Sequence, residues 1–329
     1  MFECERLTLK EAIKSMDEIH RESMEERPRD FSLLEKAILI RKCYKNWPAA
    51  LFSYLIGRRA FVNRVTDTYV IRKGDIVLRV VDAIFFPIFE LAVFLDNNWS
   101  IDSFKDGVIQ IRSEGGLLFH CRTDRGNDLG HLVEIFIGQT YGRLFPGETV
   151  IDVGMSNADS AIFFVQRGAR KVIGLEPSTD SYELALTNIK ANHLEDKIVP
   201  LNCALADKGG SEGFKVATKS PNINALATIV HGMTTYDQAY MVETISLEDI
   251  LDKYGIGELD LLKLDCEGCE YRVLERTSPD TLRRIRRIIM EYHNGPQKLA
   301  SILTINGFQV SYERNRLRGM LTASHRQLM

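Results

Sequence analysis

The sequence predicts an α/β fold, in which a doubly wound, mostly parallel sheet follows a region of mixed helices and hairpins. Three observations predict it. From about residue 126 the pattern alternates short apolar strands with helices, as parallel sheets require. Residues 148–176, ETVIDVGMSNADSAIFFVQRGARKVIGLE, hold two apolar strands around a helix, and each strand carries an acid. A final pair of strands follows the fifth, as a sheet with an antiparallel end would show.

The elements follow in chain order. Residues 8–26 place Leu9, Ile13, Met16 and Ile19 near helical spacing, a stripe suited to core or to self-association, so a homo-oligomer is an expectation. Residues 31–57 read as helical with a break near Pro48. One hairpin is expected at TYVIR and DIVLRVV about Lys73-Gly74, and another at VIQIR and LLFHC about Glu114-Gly115-Gly116. Between them residues 80–95, VVDAIFFPIFELAVFL, form the longest apolar run. It contains Asp82, Pro87 and Glu90 and falls short of the ~20 residues that span a bilayer. It reads as buried core, with peripheral membrane contact as the second reading. Residues 1–125 are thus a mixed helix/hairpin region for substrate binding or self-association, and 126–329 the catalytic α/β domain.

In that second part the first strand is expected at 148–153. Val150, Ile151 and Val153 surround Asp152, and the strand runs into Gly154. A helix at 158–168 leads to a second strand at 171–176 that ends on Glu176. A helix at 179–193 and a third strand at 197–203 follow, then a hairpin-like insertion at 209–245. Ser246 with Asp249 forms a capping-box pattern that opens a short helix. LDLLKLD is the fourth strand, ending on Asp265, and IRRIIMEYH the fifth, ending near His293. A helix at 296–305 and strands at 307–312 and 318–324 close the sheet. This count suits a Rossmann-like, seven-stranded class I methyltransferase sheet, in which the fourth and fifth strands neighbour the first.

Ligands of open α/β sheets bind beyond the carboxyl ends of the strands. Gly154 lets backbone approach a ligand, and Glu176 can accept hydrogen bonds from ribose hydroxyls. An acid within the first strand and a sparse glycine pattern favour S-adenosylmethionine over NAD. Asp152, Gly154, Ser156, Glu176 and Asp207 are therefore the expected cofactor residues, with Asp207 read either as an adenine ligand or as a turn residue in Asp-Lys-Gly-Gly.

Asp265 can position a hydroxyl, bind a divalent metal or act as a base. Glu291 and His293 lie two apart, so both face one way and can meet Asp265. These three are the expected catalytic residues. Glu267 and Glu270 read equally as acids favoured at a helix start. His131, Glu134 and Tyr141 are expected near a cofactor lid. The CxxC of Cys266 and Cys269 lacks the second pair a zinc site needs and reads as small buried side chains, so no dedicated metal motif is assigned.

A net charge of −3 gives no general attraction to nucleic acid, and Arg283, Arg284, Arg286 and Arg287 read as a phosphate patch or a solvated face. Six scattered cysteines and a charged start without a signal-peptide pattern lead to an expected cytoplasmic location.

VIDVGMSNADSA, GLEPS, NCALAD, SLEDIL, LLKLDCEGCEYRVLE and IIMEYH occur in that order. Over roughly residues 126–325 this series resembles the FkbM family of S-adenosylmethionine-dependent methyltransferases. The resemblance implies O-methylation of a hydroxyl on a small-molecule, sugar or glycolipid acceptor. The family's first motif usually reads DVGAN-x-GD. Here Met155, Ser156 and Ala158 replace its alanine, asparagine and second glycine, which adds a methyl group where the cofactor is expected. Three readings compete: a tRNA base methyltransferase, though Asp265-Cys266-Glu267-Gly268 stands where an Asn/Asp-Pro-Pro loop would be; an NAD oxidoreductase without its G-x-G-x-x-G; and an inactive methyltransferase-like scaffold.

Overall fold

The computed structural model describes residues 31–60, 66–80, 86–123, 127–142, 144, 146–216, 238–313 and 316–325. The stripe at 8–26 and the centre of the 209–245 insertion lie outside them.

The first described element, α1 (Leu33–Cys43), starts at a reciprocal capping box. Ser32 accepts from the Glu35 amide, and Glu35 accepts from the Ser32 amide. After α2 (Trp47–Ala60), which carries Pro48 in its first turn, β1 (Thr68–Val70) and β2 (Val77–Arg79) pair antiparallel. The apolar run becomes α3 (Ile88–Asp96). Leu91, Ala92, Val93 and Phe94 on it are at most 1% exposed, so its apolar surface is spent inside the protein. The bilayer reading of that helix has no face left to rest on. Among the described residues no helix is long and apolar enough to cross a membrane.

Next comes a sheet of β3 (Ser100–Lys105), β4 (Val108–Arg112) and β5 (Leu118–Arg122). The β4–β5 hairpin matches expectation; β3 does not appear in the sequence reading, because its pattern fails to alternate cleanly and slips by a register irregularity at Ile101/Ser103.

The main sheet begins after α4 (Asp128–Leu132) and a single π-helical turn at Val133–Ile137. Its first half runs β6 (Thr149–Val153), α5 (Asp159–Gln166), β7 (Lys171–Leu175), α6 (Thr179–Ala191) and β8 (Ile198–Leu201). The insertion supplies β9 (Ala204–Ala206), β10 (Gly210–Val216) and β11 (Gln238–Ser246), a small side sheet. The second half runs α7 (Leu247–Lys253), β12 (Leu259–Leu264), α8 (Cys269–Arg276), α9 (Pro279–Leu282), β13 (Ile285–Tyr292), α10 (Gln297–Ile305), β14 (Phe308–Tyr312) and β15 (Gly319–His325).

The strand order is β14-β15-β13-β12-β6-β7-β8, parallel from β8 through β13, with β15 antiparallel to both of its neighbours. This is the expected seven-stranded order. Every residue of β6 is buried, as a central strand covered on both faces requires. Because the chain reverses direction of travel between β6 and β12, a crevice opens at their carboxyl ends.

The N-terminal region is fastened to the main sheet through α6. Among the described residues edge strand β5 pairs with no further strand, and two asparagines of α6 take the place of one. Asn188 Oδ1 accepts from the His120 amide at 2.7 Å, and Asn192 Oδ1 from the Leu118 amide at 2.9 Å. Beside them Arg122 is held by Asp128 at 2.8 Å, both almost wholly buried. One buried cluster runs from Ile40 and Phe119 to Phe163 and Ile189, across residue 125.

Candidate active site

The turn after β6 is built before any ligand is considered. Gly154 has φ +77°, and a Cβ there would stand 1.9 Å from the Asp265 carbonyl oxygen. Glycine is needed because the end of β12 passes against it, in addition to any approach by a ligand. The Gly154 and Met155 amides both donate to the Leu175 carbonyl, at 2.9 and 3.0 Å. The Ser156 amide donates to Glu176 Oε2 at 3.0 Å, and the Ser178 amide to Oε1 at 2.8 Å. Glu176 is 1% exposed, and burial outweighs these two amides, pushing its pKa up to about 7. Each of its oxygens keeps a lone pair for another donor.

Asp152 lies behind this turn, outside the cavity lining. Lys263 stands 3.0 Å from Asp152 Oδ1, and Ser160 Oγ donates to Oδ2 at 2.6 Å. Lys263 Nζ also donates to the Gly154 carbonyl at 2.8 Å and reaches the cavity edge. Burial opposes its charge, but Asp152 and Asp265 more than offset that, so its pKa rises. Sequence reasoning assigned Lys263 no role; the available signal was one lysine inside the apolar strand LDLLKL.

The altered loop residues leave the cavity open. Met155 is fully buried and directed at Gly174, where a Cβ would lie 2.3 Å from its sulfur. Ala158 is also fully buried, at φ +68°, and neither residue lines the cavity. The methyl group that Ala158 adds is therefore not part of the cavity lining.

Gly154, Ser156 and Glu176 form one wall of a cavity enclosing about 1130 Å³ of empty space, mouth included. Asp265, Glu267 and Glu291 form a second wall, and His131, Glu134 and Tyr141 also line the cavity. Asp207 does not join them. The insertion and α8 bring it to Arg272, with which it forms an ion pair shared with Glu212. That pairing accounts for its charge without an adenine.

His293 follows β13 and touches the second wall from behind. Its Nδ1 lies 3.3 Å from Glu270 Oε1, and its Nε2 lies 3.3 Å from Glu267 and 3.9 Å from Glu291. Burial works against a charged ring, but Glu270, Glu267 and Glu291 overcome it and raise the pKa to about 9. Glu291 rises to about 7, chiefly by burial and then through the charge of Asp265. With His293 held protonated at neutral pH, Glu291 is the better proton acceptor of the two.

Cys266 and Cys269 correct a second expectation. They are joined in a disulfide, not two free thiols, because Glu267 (φ +55°) and Gly268 (φ +115°) turn the chain until the two Cα atoms lie 5.5 Å apart. Both line the second wall. The four arginines, read as a phosphate patch or a solvated face, are each paired: Arg283 with Asp280, Arg284 with Asp252, Arg286 with Glu258 and Arg287 with Glu148.

A crevice at the reversal of this seven-stranded sheet, with a buried strand-end acid on one side, is the arrangement expected of a Rossmann-like methyltransferase sheet. The chain belongs to the methyltransferase FkbM domain family, whose model matches residues 152–316. It is similar to methyltransferase sdnD of Sordaria araneosa, with 23% identity over 216 residues that cover 55% of this chain and 82% of the relative. It is also similar to the 31-O-demethyl-FK506 methyltransferase FkbM of Streptomyces tacrolimicus, with 25% identity over 218 residues covering 56% and 83%. Among solved structures, the ribosomal protein L11 methylase of Lactobacillus delbrueckii subsp. bulgaricus matches at 18% identity and a TM-score of 0.35, covering 59% of this chain and 77% of that one. A likeness of that size carries no functional argument.

Proposed function

We propose that this family member transfers a methyl group from S-adenosylmethionine to a hydroxyl oxygen of a small-molecule or glycan-like acceptor. The observation that carries the reading is the charge of the cavity. Six carboxylates line it (Glu134, Asp159, Glu176, Asp265, Glu267 and Glu291) against Lys263 and His131. Such a lining attracts the cationic sulfonium and ammonium of S-adenosylmethionine and repels the pyrophosphate of NAD or a nucleic-acid backbone.

The residues fit the cofactor by a second observation. Ser156 Oγ is buried at the cavity wall without a hydrogen-bond partner, so a ligand polar group is what would satisfy it. Glu176 would hold the ribose hydroxyls, and the clamped turn at Gly154 would receive the methionine portion. When bound, S-adenosylmethionine supplies a methyl group already activated on positively charged sulfur. The protein's task is then alignment and proton removal. Asp265 and Glu291 would orient an acceptor hydroxyl, and a carboxylate of this wall would take its proton. The relative named for 31-O-demethyl-FK506 supports an oxygen acceptor on a small molecule.

Calorimetric titration with S-adenosylmethionine, S-adenosylhomocysteine and NAD tests the cofactor. The first two should bind and NAD should not; absence of binding by both nucleosides removes the reading. Incubation with radiolabelled donor and fractionated extract then identifies the acceptor, and label appearing in nucleic acid instead would overturn its class.

A further inference from the structure

We propose that Asp265, Glu291 and His293 form a divalent-cation site at the acceptor end of the cavity. The site deepens the methyl-transfer reading, on which it relies only for the expectation that an acceptor oxygen completes the ion's coordination. The site itself stands on the side chains described here.

Each of the three residues offers one ligand atom, and these atoms all lie within 4.8 Å of one another. They come from adjacent, hydrogen-bonded parallel strands: Asp265 directly follows β12, Glu291 lies in β13 and His293 just beyond it. Asp265 and His293 each stand one residue past a strand end, where the paired strands limit their movement, and Asp265 and Glu291 open onto the cavity.

His293 adds an independent observation. Its side chain is 6% exposed, yet neither ring nitrogen makes a hydrogen bond of normal geometry. Behind it stands Glu270, fully buried, 3.3 Å from Nδ1 and itself fixed by the Cys266 amide at 3.1 Å. A carboxylate behind one ring nitrogen, with the other nitrogen turned toward further carboxylates, is how proteins orient an imidazole for a metal. A plain charge network explains less well why four carboxylates, Asp265, Glu267, Glu270 and Glu291, crowd one imidazole. Arg318 also meets this group, 3.0 Å from Glu267 and 4.0 Å from Glu291, and Lys263 feels the charge of Asp265.

Two carboxylates and an imidazole suit Mn²⁺, Fe²⁺ or Zn²⁺ better than Ca²⁺, which prefers an all-oxygen shell. Three protein ligands leave positions open on the cavity side for acceptor oxygen. The acceptor class that best uses them carries two neighbouring oxygens, such as a vicinal diol or a hydroxy-carbonyl pair.

The test is titration of the full chain with Mn²⁺ alone, followed by the electron paramagnetic resonance signal of the free ion. One saturable site per chain is expected. H293Q and E291Q should each weaken it at least tenfold, and E270Q, which touches no ion, by about 10–100-fold. E275Q, on the outer side of α8 and paired with Lys298, should leave it unchanged. No saturable site, or a site indifferent to H293Q and E291Q, overturns the proposal. S-adenosylmethionine calorimetry on the same samples shows that the variants are folded. It also separates the two ideas: cofactor binding without Mn²⁺ binding removes the cation site alone, and the converse removes the methyl-transfer reading while the site stands.

Discussion

The two walls of the cavity are built in opposite ways. On the first, at Gly154 and Glu176, main-chain amides hold every charged oxygen and side chains are buried; Lys263 and Asp152 lock the turn from behind. On the second, carboxylates confront one another with their charges only partly balanced, and Glu267 and Glu291 are each 36% exposed. The difference teaches where substitution is tolerated. Main-chain contacts do not depend on side-chain identity, so the first wall survives Met155, Ser156 and Ala158 in place of the family's usual residues. The second wall depends on which side chains meet.

The comparison predicts its largest effect behind the first wall. Lys263→Met leaves Asp152 buried without its cation, and stability should fall by about 3–5 kcal/mol in urea denaturation. Adding Asp152→Asn should return part of that loss, since the two sites share one interaction. If Lys263→Met unfolds like the parent, the wall is not locked as described.

Across the cavity, Glu291→Gln should lower turnover by about 10²–10⁴-fold in a radiolabel assay while cofactor affinity stays as it was. Loss of affinity instead would place Glu291 on the cofactor side and blur the two walls.

Glu176 sharpens the comparison through pH. Its folded pKa of about 7 lies above the ordinary 4.5, so its contribution to stability is present below about pH 4.5 and lost as pH rises through about 7. Cofactor binding runs the other way, because accepting ribose protons requires the carboxylate. Affinity measured by calorimetry should therefore tighten from pH 6 to pH 8. Glu176→Gln should flatten that profile and weaken binding by about ten- to a hundredfold, as expected for a charged hydrogen bond worth ~1.5–3 kcal/mol.

The smallest effect is expected at Ala158, which adopts φ +68° without being glycine. Ala158→Gly should recover up to ~1–2 kcal/mol of left-handed strain, less the entropy glycine adds to the unfolded chain, and raise the melting temperature slightly. A lower melting temperature would mean that the packing of its methyl group outweighs the strain.

Much of the fold was legible because strands buried on both faces must be continuous apolar runs. VIDV, KVIGL, LDLLKL and IRRIIM could be little else, and β6, β7, β12 and β13 begin and end within about two residues of expectation. Gly154, Glu176, Asp265, Glu291 and His293 were legible as a group for a related reason: each ends or follows a strand, and strand ends of one parallel sheet share one edge. Strand β3 escaped because a register slip hides its alternation.

Partner choice was the part the sequence left open. Lys263 finds the Val153 carbonyl 110 residues away, Arg272 takes Asp207 away from the cavity, and Asn188 reaches back 68 residues to β5. Periodicity determined by itself which residues lie inward and which strand ends meet, since burial needs only a side chain's direction. Which charge answers which was decided by the folded chain alone, because ion pairs and hydrogen bonds depend on distances of a few ångströms between segments far apart in sequence.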